Sequence, residues 1–247
     1  MARRVKCCLN GRRTRAEQPA VPISAAELAL EAAAAVAAGA FALHMHPRDG
    51  AGAETLEAAW CDAAVAAVRA TCSGTPVGLT TGAWIEPDLE RRLHLIGAWR
   101  QRPDFCSVNL SEPGCERVME TLWRLGIGVE AGLGSVEDAE VLGALGLAPR
   151  CLRVLVEIDA TQGGDPAACA AASAIDAALD GAAFAGERLH HGFGPETWAV
   201  IRQGFAWGWD ARVGLEDVLT LPDGRPAAGN ADLVAAAVAL GAASAGA

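Results

Sequence analysis

Apolar and polar positions along the chain follow two patterns that alternate, and each pattern recurs eight times. Short apolar or β-branched runs predict strands at 5–9, 41–46, 76–81, 105–110, 126–132, 151–158, 188–193 and 211–216. Longer Ala- and Leu-rich amphipathic stretches predict helices near 24–38, 54–71, 87–99, 114–125, 135–146, 166–180, 195–206 and 230–243. Eight strands, each followed by a helix, predict a single (β/α)8 TIM barrel, and a chain of 247 residues has the length of such a barrel.

The same alternation is compatible with a doubly wound open sheet, which is the alternative fold. No long linker rich in Pro, Ser or Gly divides the chain, so residues 1–247 are predicted to form one domain. Ser24 followed by Glu27 has the spacing of a capping box and predicts the start of the first helix.

The composition is that of a globular protein without affinity for polyanions. Hydrophobic residues make up 52% of the chain, and 30 acidic residues against 20 basic ones give a formal net charge of −10. Nucleic acids and anionic membranes repel a negative chain, so we expect neither as a partner. The longest uncharged stretches, 32–43 and 233–247, are shorter than the roughly 20 residues that span a membrane.

The eight cysteines indicate a reducing compartment. They are scattered through apolar segments without CxxC spacing, which favours buried free thiols over disulfides. No apolar run that could form a signal peptide follows the basic residues near position 1. We therefore expect a cytoplasmic protein.

Two histidines end the second predicted strand, in the sequence His44-Met-His-Pro-Arg-Asp-Gly50. Residues two apart in a strand point to the same side, so His44 and His46 are expected to project together into the barrel. Such a pair can bind one divalent metal ion, and hydrogen-bonded core histidines are the alternative. Arg48 follows where the loops at the barrel mouth begin, and it is a candidate substrate-binding residue.

A carboxylate ends the eighth predicted strand, in the sequence Arg212-Val-Gly-Leu-Glu-Asp217. The period of two places Arg212 and Glu216 on one face, with Asp217 at the rim. A carboxylate that points into a barrel is costly unless it is paired or bound to a metal. Together with the two histidines, Glu216 would give a three-ligand site with open coordination positions, and a buried ion pair with Arg212 is the alternative.

These two segments together resemble the β-keto acid cleavage enzymes, a family that includes 3-keto-5-aminohexanoate cleavage enzyme. An HxHxRD motif followed far downstream by RxGxED is specific as a pair. Further matching stretches occur in the family's order: LNG at 9–11, PAVPISAAE at 19–27, TTGAW at 80–84, VGLEDVL at 213–219 and GNADLV at 229–234. The resemblance runs through nearly the whole chain.

The resemblance implies a (β/α)8 barrel with a divalent ion, usually zinc, at its mouth. By matching position, it implies that His44, His46 and Glu216 are the metal ligands. Asp217 matches the family's catalytic acid/base, and Arg212 matches the arginine that works with it.

The remaining candidates come from single positions. The family places a hydroxyl residue after the third strand, which corresponds to Thr80 or Thr81. Glu130, at the predicted end of the fifth strand, matches another catalytic glutamate of the family. Asn10 follows the first predicted strand and is a further candidate for lining the substrate pocket.

The implied reaction converts a β-keto acid and acetyl-CoA, its co-substrate, into acetoacetate and a new acyl-CoA. Two imidazoles and a carboxylate suit Zn²⁺ best but accept Mn²⁺, Co²⁺ or Fe²⁺. The alternatives are a CoA-independent metal-dependent lyase or hydrolase of a related keto acid, and a non-catalytic ligand-binding paralogue. The family and the apolar helical surface favour a homo-oligomer, either a dimer or a tetramer. The segment 159–187 is shorter than in fuller members of the family, which leaves the position of CoA open.

Overall fold

A computed structural model describes residues 3–159, 163–182 and 184–245. Eight parallel strands pair in chain order from β1 to β8, and β8 pairs with β1 to close a barrel. The strands β1 to β8 span Val5–Cys8, Ala40–Met45, Val77–Thr80, Phe105–Asn109, Gly128–Leu133, Arg153–Ile158, Glu187–Gly192 and Asp210–Val213. The predicted (β/α)8 barrel is confirmed, and the open sheet is excluded.

Eight α-helices in the described residues alternate with the strands. The helices α1 to α8 span Ala25–Ala37, Ala58–Thr71, Leu89–Gly97, Cys115–Arg124, Val136–Ala144, Gly164–Gly181, Thr197–Trp207 and Asn230–Ala245. Short 3₁₀ helices at Ala148–Arg150 and Gly194–Glu196 precede β6 and α7. None of the described helices has the length and apolarity that a membrane crossing requires.

The alternation within β6 shows how the sequence builds the two sides of the barrel wall. Val154, Val156 and Ile158 are buried in the apolar layer between strands and helices. The alternate residues of the strand point inward, where Arg153 pairs with Glu130 and Glu157 lines the central cavity. The period of two therefore places apolar side chains against the helices and charged ones inside the barrel.

The capping box at the start of α1 is confirmed. The Ser24 side chain accepts a hydrogen bond from the Glu27 backbone N–H, and the Glu27 carboxylate accepts one from the Ser24 backbone N–H. The hydrogen bonds that this carboxylate accepts from the backbone N–H groups of Ser24 and Ile23 lower the pKa of Glu27 to about 2. The carboxylate thus remains ionised in the first turn, where the helix dipole favours negative charge.

Two predicted element boundaries at the mouth of the barrel were wrong. Helix α2 begins at Ala58 and not near 54, because Glu54 forms an isolated β-bridge with Arg48. Strand β8 ends at Val213, so Glu216 lies in a turn and not on the strand. Both differences lengthen the loops that follow the strands, which are the loops that form the mouth.

All eight cysteines fall within the described residues and are free thiols, as the spacing predicts. Six of them are buried. Burial raises the pKa of the Cys7, Cys8 and Cys106 thiols well above the ordinary value. These three side chains therefore behave as small apolar groups and not as thiolate nucleophiles.

A buried ion cluster crosses the barrel below the mouth. Lys6 of β1 lies 2.5 Å from Glu130 of β5, and Arg153 of β6 lies 3.2 Å from the other oxygen of that carboxylate. Ser107 donates a third contact at 3.1 Å. Glu130 is the third residue of β5, three residues short of its end, so its expected position at the strand end was wrong.

Removing the shared carboxylate of this cluster should destabilise the fold more than removing the lysine. Glu130→Gln leaves the buried Lys6 without a counter-charge and Arg153 with only Glu187 at 3.5 Å, and we expect a loss of about 3–5 kcal/mol in the free energy of unfolding. Lys6→Met keeps the Glu130–Arg153 pair and should cost clearly less. Urea titration followed by tryptophan fluorescence measures both variants, and equal losses would contradict this account of the cluster.

Candidate active site

A cavity of about 540 Å³ opens at the carboxyl ends of the strands. Its walls come from the loops and last residues of nearly every strand, as in other barrels of this type. The lining residues include Arg12, His44, His46, Thr80, Thr81, Trp84, Ser107, Asn109, Glu112, Glu157, Asp159, Arg212 and Glu216.

His44 and His46 point into this cavity from the end of β2, as the spacing predicts. Their Nε2 atoms lie 3.1 Å apart, and both side chains are almost fully buried. Burial lowers the pKa of His44 well below its ordinary value, so His44 is a neutral imidazole. For His46 the effect of burial is outweighed by Glu216 and Glu54, and the pKa rises.

Glu216 reaches the two imidazoles from the turn after β8. Its Oε2 lies 3.5 Å from His46 Nε2 and 3.8 Å from His44 Nε2. Gly11, which has a φ of +52°, makes room for it, because a Cβ at position 11 would overlap the Glu216 side chain. Burial raises the pKa of Glu216, but Arg212 and the two histidines hold it well below its ordinary value.

The geometry of these three side chains fits a divalent metal ion. One donor atom from each of His44, His46 and Glu216 lies within 4.8 Å of the others. Glu216 Oε2 is buried and has no hydrogen-bond partner among the described residues, so it has a lone pair to offer. Two neutral imidazole nitrogens and a carboxylate oxygen are the donor set of catalytic zinc sites.

Charge balance favours a cation at the same place. The guanidinium of Arg212 contacts three carboxylates: Asp217 at 2.8 Å, Glu157 at 3.7 Å and Glu216 at hydrogen-bond distance. Three carboxylates therefore share one guanidinium, which leaves an excess of negative charge in this buried site. A divalent ion would neutralise that excess, which makes burial of the carboxylates less costly.

Glu54 orients the imidazole of His46. Its Oε1 lies 2.5 Å from His46 Nδ1, so the proton belongs on Nδ1 and the lone pair of Nε2 faces the cavity. Trp84 donates its indole N–H to the second oxygen of Glu54 at 3.2 Å and stacks on His46 at a centroid distance of 6.2 Å. Glu54 and Trp84 together restrict the rotation of the histidine.

Arg212 and Asp217 form a buried pair, of which only Arg212 belongs to the described lining of the cavity. Asp217 is fully buried, and Arg212 contacts both of its carboxylate oxygens, Oδ1 at 2.8 Å and Oδ2 at 3.4 Å. Burial raises the pKa of Asp217 above its ordinary value. The pair therefore presents a guanidinium, and not a carboxylate, to the cavity.

The four residues expected to bind substrate divide into two groups. Thr80 and Thr81 line the cavity, and the Thr81 hydroxyl donates to the carbonyl of Ser107 at 2.7 Å. Asn10 and Arg48 are not among the described lining residues. Asn10 instead holds the backbone of His46. Its side-chain amide donates to the His46 carbonyl group, and its side-chain oxygen accepts from the His46 N–H, both at 2.9 Å.

Arg48 connects two loops at the rim of the barrel. Its guanidinium donates to the carbonyl groups of Gly11, Arg13 and Gly52. These contacts direct both terminal nitrogens of the guanidinium to backbone atoms, so Arg48 holds the loop after β1 against the loop after β2. Glu130 lies beneath the cavity, and it accepts a hydrogen bond from Ser107, one of the described lining residues.

One residue of the cavity wall escapes the sequence analysis. Glu157 lines the cavity, and His191 lies beside it, with Nε2 3.2 Å from Glu157 Oε2 and Nδ1 3.7 Å from Asp217 Oδ1. The signal for Glu157 is a single acidic residue near the end of an apolar strand. The adjacent histidines at 190 and 191 alternate sides, and only the register of β7 shows that His191 points inward while His190 faces Asp176 of α6.

The fold and this site together define a class: a (β/α)8-barrel protein with a His-His-Glu ligand cluster of metal-binding type at its mouth. The model of the beta-keto acid cleavage enzyme family matches residues 4–246. The chain therefore belongs to the β-keto acid cleavage enzyme family, a family of enzymes that cleave β-keto acids.

Solved structures agree with the fold. ObcA in binary complex with oxaloacetate is 18% identical over 88% of this chain and 62% of its own, with a TM-score of 0.69. ObcA in ternary complex with a C4-CoA adduct and oxalate is 17% identical over the same shares, with a TM-score of 0.71. Thiamine phosphate pyrophosphorylase from Pyrococcus furiosus is 9% identical over 98% of this chain and 96% of its own, with a TM-score of 0.59.

The chain spans 62% of the length of these ObcA structures, so it is markedly shorter than they are. The segment 159–187 was expected to be abbreviated, with a single short helix. Its helix α6 is single but runs for 18 residues, and residues 160–162 and 183 lie outside the described part. None of the curated proteins matches the chain in a sequence comparison.

Removing one donor of the cluster should abolish metal binding. The protein incubated with zinc should retain about one ion per chain, and His46→Ala and Glu216→Ala should retain almost none, because two donors seldom hold zinc. Elemental analysis after gel filtration measures the content. His94→Ala, which removes an exposed imidazole from α3, is the matched control and should keep its zinc. Variants of the cluster that keep their zinc would contradict the assignment.

Glu54→Gln should weaken zinc binding without removing a ligand. An amide accepts the Nδ1 proton of His46 less strongly, and loss of such a contact lowers metal affinity by about 10–100-fold. Competition with a chromogenic chelator measures the dissociation constant. Glu57→Gln, three residues along and exposed, should leave the affinity unchanged. Equal affinities for the two variants would mean that Glu54 does not orient His46.

Proposed function

We propose that this protein cleaves a β-keto acid in a reaction with acetyl-CoA and releases acetoacetate and a new acyl-CoA. The observation that carries the proposal is the His44, His46 and Glu216 cluster beside Arg212 in one cavity, in a chain matched by the family over residues 4–246. ObcA, a structure of the same fold, is described with a CoA adduct, which supports a CoA thioester as the second substrate.

The proposed metal ligands are His44, His46 and Glu216, with Zn²⁺ as the preferred ion. When bound, the ion supplies a Lewis acid that stabilises negative charge on the oxygens of the keto acid. The neutral imidazole of His44 and the ionised carboxylate of Glu216 are already in the protonation states that a metal requires.

Arg212 is proposed to bind the anionic part of the substrate. Its guanidinium is buried and lines the cavity, and its carboxylate neighbours raise its pKa well above the ordinary value despite burial. A buried cation of fixed orientation stabilises a developing negative charge without reorganisation during the reaction. Asp217 holds Arg212 in this orientation. We propose that the Arg212–Asp217 pair has the acid/base role that the resemblance implies.

Thr80 and Thr81 are proposed to contact the substrate on the side of β3. Both residues line the cavity, and the Thr80 hydroxyl accepts a hydrogen bond from the Gly82 N–H at 3.2 Å. That contact leaves the Thr80 proton free to donate to a carboxylate or a ketone oxygen. The backbone between β3 and Trp84 thus orients one donor toward the cavity.

Cleavage by the zinc-loaded protein should depend on acetyl-CoA. A panel of β-keto acids with different chain lengths and end groups is incubated with and without acetyl-CoA, and mass spectrometry detects acetoacetate and the new acyl-CoA. We expect both products only when acetyl-CoA is present, and Arg212→Met should lower kcat by about a hundredfold or more because its charge is lost.

Two results would contradict the proposed function. Cleavage at the same rate without acetyl-CoA would identify a lyase or hydrolase that does not use CoA. A protein that binds zinc and cleaves none of the panel in either condition would be a binding protein on the same fold. His94→Ala again provides the matched control, because it should retain the wild-type rate.

A further inference from the structure

Arg12 is a cavity-lining arginine without a counter-charge. It lies exposed in the loop after β1, and it lines the cavity together with Arg13 and Arg212. Arg212 contacts three carboxylates, and Arg13 pairs with Glu17 at 2.9 Å. Among the described residues, Arg12 has no carboxylate partner. One of these three cations is therefore available to an anion that enters the cavity.

The loop after β1 engages its own carboxylate elsewhere. Glu17 is the acidic residue nearest to Arg12 in the sequence. Its Oε1 accepts a hydrogen bond from Arg13, and its Oε2 accepts from the backbone N–H and the hydroxyl of Thr14, at 2.8 and 3.0 Å. Both oxygens are thus bound by neighbours other than Arg12, and the loop leaves the guanidinium of Arg12 unpaired.

The backbone on either side of Arg12 is fixed. The guanidinium of Arg48 donates to the carbonyl groups of Gly11 and Arg13, the two residues that flank it. The Arg13 N–H donates to the carbonyl group of Asn10 at 3.1 Å, which closes a turn around position 12. The loop therefore presents Arg12 to the cavity from a backbone that is held from both sides.

Trp84 places the guanidinium of Arg12 near the ligand cluster. The guanidinium lies over the indole ring, 5.7 Å from its centroid, and a cation over the face of an indole is attracted to it. The same ring stacks on His46 at a centroid distance of 6.2 Å and donates its N–H to Glu54. Arg12 thus lies no farther from the His46 ring than these two distances laid end to end.

We infer that Arg12 binds a second carboxylate at the far end of the substrate, so that the preferred β-keto acid is a 3-oxo-dicarboxylic acid. This inference rests on the function proposed above. The first carboxylate and the ketone would face the ligand cluster and Arg212, and the chain beyond the ketone would run past Trp84 to Arg12. Arginine suits this task because its planar fork offers two parallel N–H donors to a carboxylate.

The phosphates of CoA are the other anions that an arginine at the mouth could meet. In a CoA thioester, the whole pantetheine arm separates these phosphates from the acyl group that reacts. Arg12 and His46 contact the same indole ring, so a group bound by Arg12 lies close to the reacting atoms. The position of Arg12 therefore favours a carboxylate of the keto acid over a phosphate of CoA.

Two keto acids of equal chain length test the inference. 3-Oxohexanedioate carries a carboxylate where 3-oxohexanoate carries a methyl group. With zinc-loaded protein and saturating acetyl-CoA, we expect the higher kcat/KM for the dioate. Arg12→Met should lower this value by about tenfold or more and leave that of 3-oxohexanoate unchanged, because only the dioate loses a charge-assisted contact.

Two further variants serve as controls in the same assay. Arg12→Lys keeps the charge but not the two parallel donors, so its kcat/KM for the dioate should lie between those of the wild type and Arg12→Met. Arg100→Met removes an exposed arginine that follows α3, and it should behave like the wild type with both acids.

Calorimetry without acetyl-CoA measures binding apart from turnover. The proposed reaction needs acetyl-CoA, so the keto acids bind to the zinc-loaded protein without being cleaved. Arg12→Met should weaken binding of 3-oxohexanedioate by about tenfold and leave binding of 3-oxohexanoate and of zinc unchanged. Equal weakening of both acids would contradict the inference, because Arg12 would then support the site and not the second carboxylate.

The outcomes separate this inference from the function on which it rests. If Arg12→Met leaves the ratio of kcat/KM for the two acids unchanged, the inference fails and the proposed function stands. If it raises the KM of acetyl-CoA equally with both acids, Arg12 binds a phosphate of CoA, and the inference is again overturned. A protein that cleaves no β-keto acid contradicts the proposed function, while the difference in binding between the two acids still tests Arg12.

Discussion

The mouth of the barrel depends on the contacts that the guanidinium of Arg212 makes. Arg212 is the third residue of β8, and its guanidinium contacts carboxylates from β6 and from the turn that follows β8. Without this charge, Glu216 and Asp217 would be adjacent anions in a largely buried site, and one of them would have to bind a proton. With it, Glu216 remains ionised and faces the two histidines. The ligand cluster and the cavity wall thus share one cation, and the geometry of each follows from the other.

The fold was predictable because the barrel repeats one pattern. Apolar residues on the helix side of a strand such as β6, and an amphipathic helix after it, give the same signal each time, and neighbouring repeats support one another. The errors lie where the pattern stops. Glu216 continues the period of two beyond Val213, but the backbone turns there. Glu54 looks like the first residue of a helix, but its bridge to Arg48 extends the loop. Such boundaries depend on contacts that the hydrophobic period of a segment does not contain.

The candidate site was predictable where two residues share a strand face. His44 and His46 are two positions apart, so period alone brings them together, and the family motif adds Glu216. Spacing could not distinguish a residue that lines the cavity from one that supports its wall. Asn10 and Arg48 form hydrogen bonds with backbone atoms of neighbouring loops. Glu157 was missed because a single acidic residue in an apolar strand has no partner in the sequence. Its neighbours come from β7 and β8 and are visible only when the barrel closes.

Lys6 has a consequence outside the barrel. It is the only lysine of the chain, and its ammonium group is enclosed between Glu130 and the aromatic ring of Phe105. The surface charge of the protein is therefore carried by arginine and carboxylate groups, with no side-chain amine. Amine-directed cross-linkers, fluorophores and immobilisation chemistry have no side chain to attack on the folded protein.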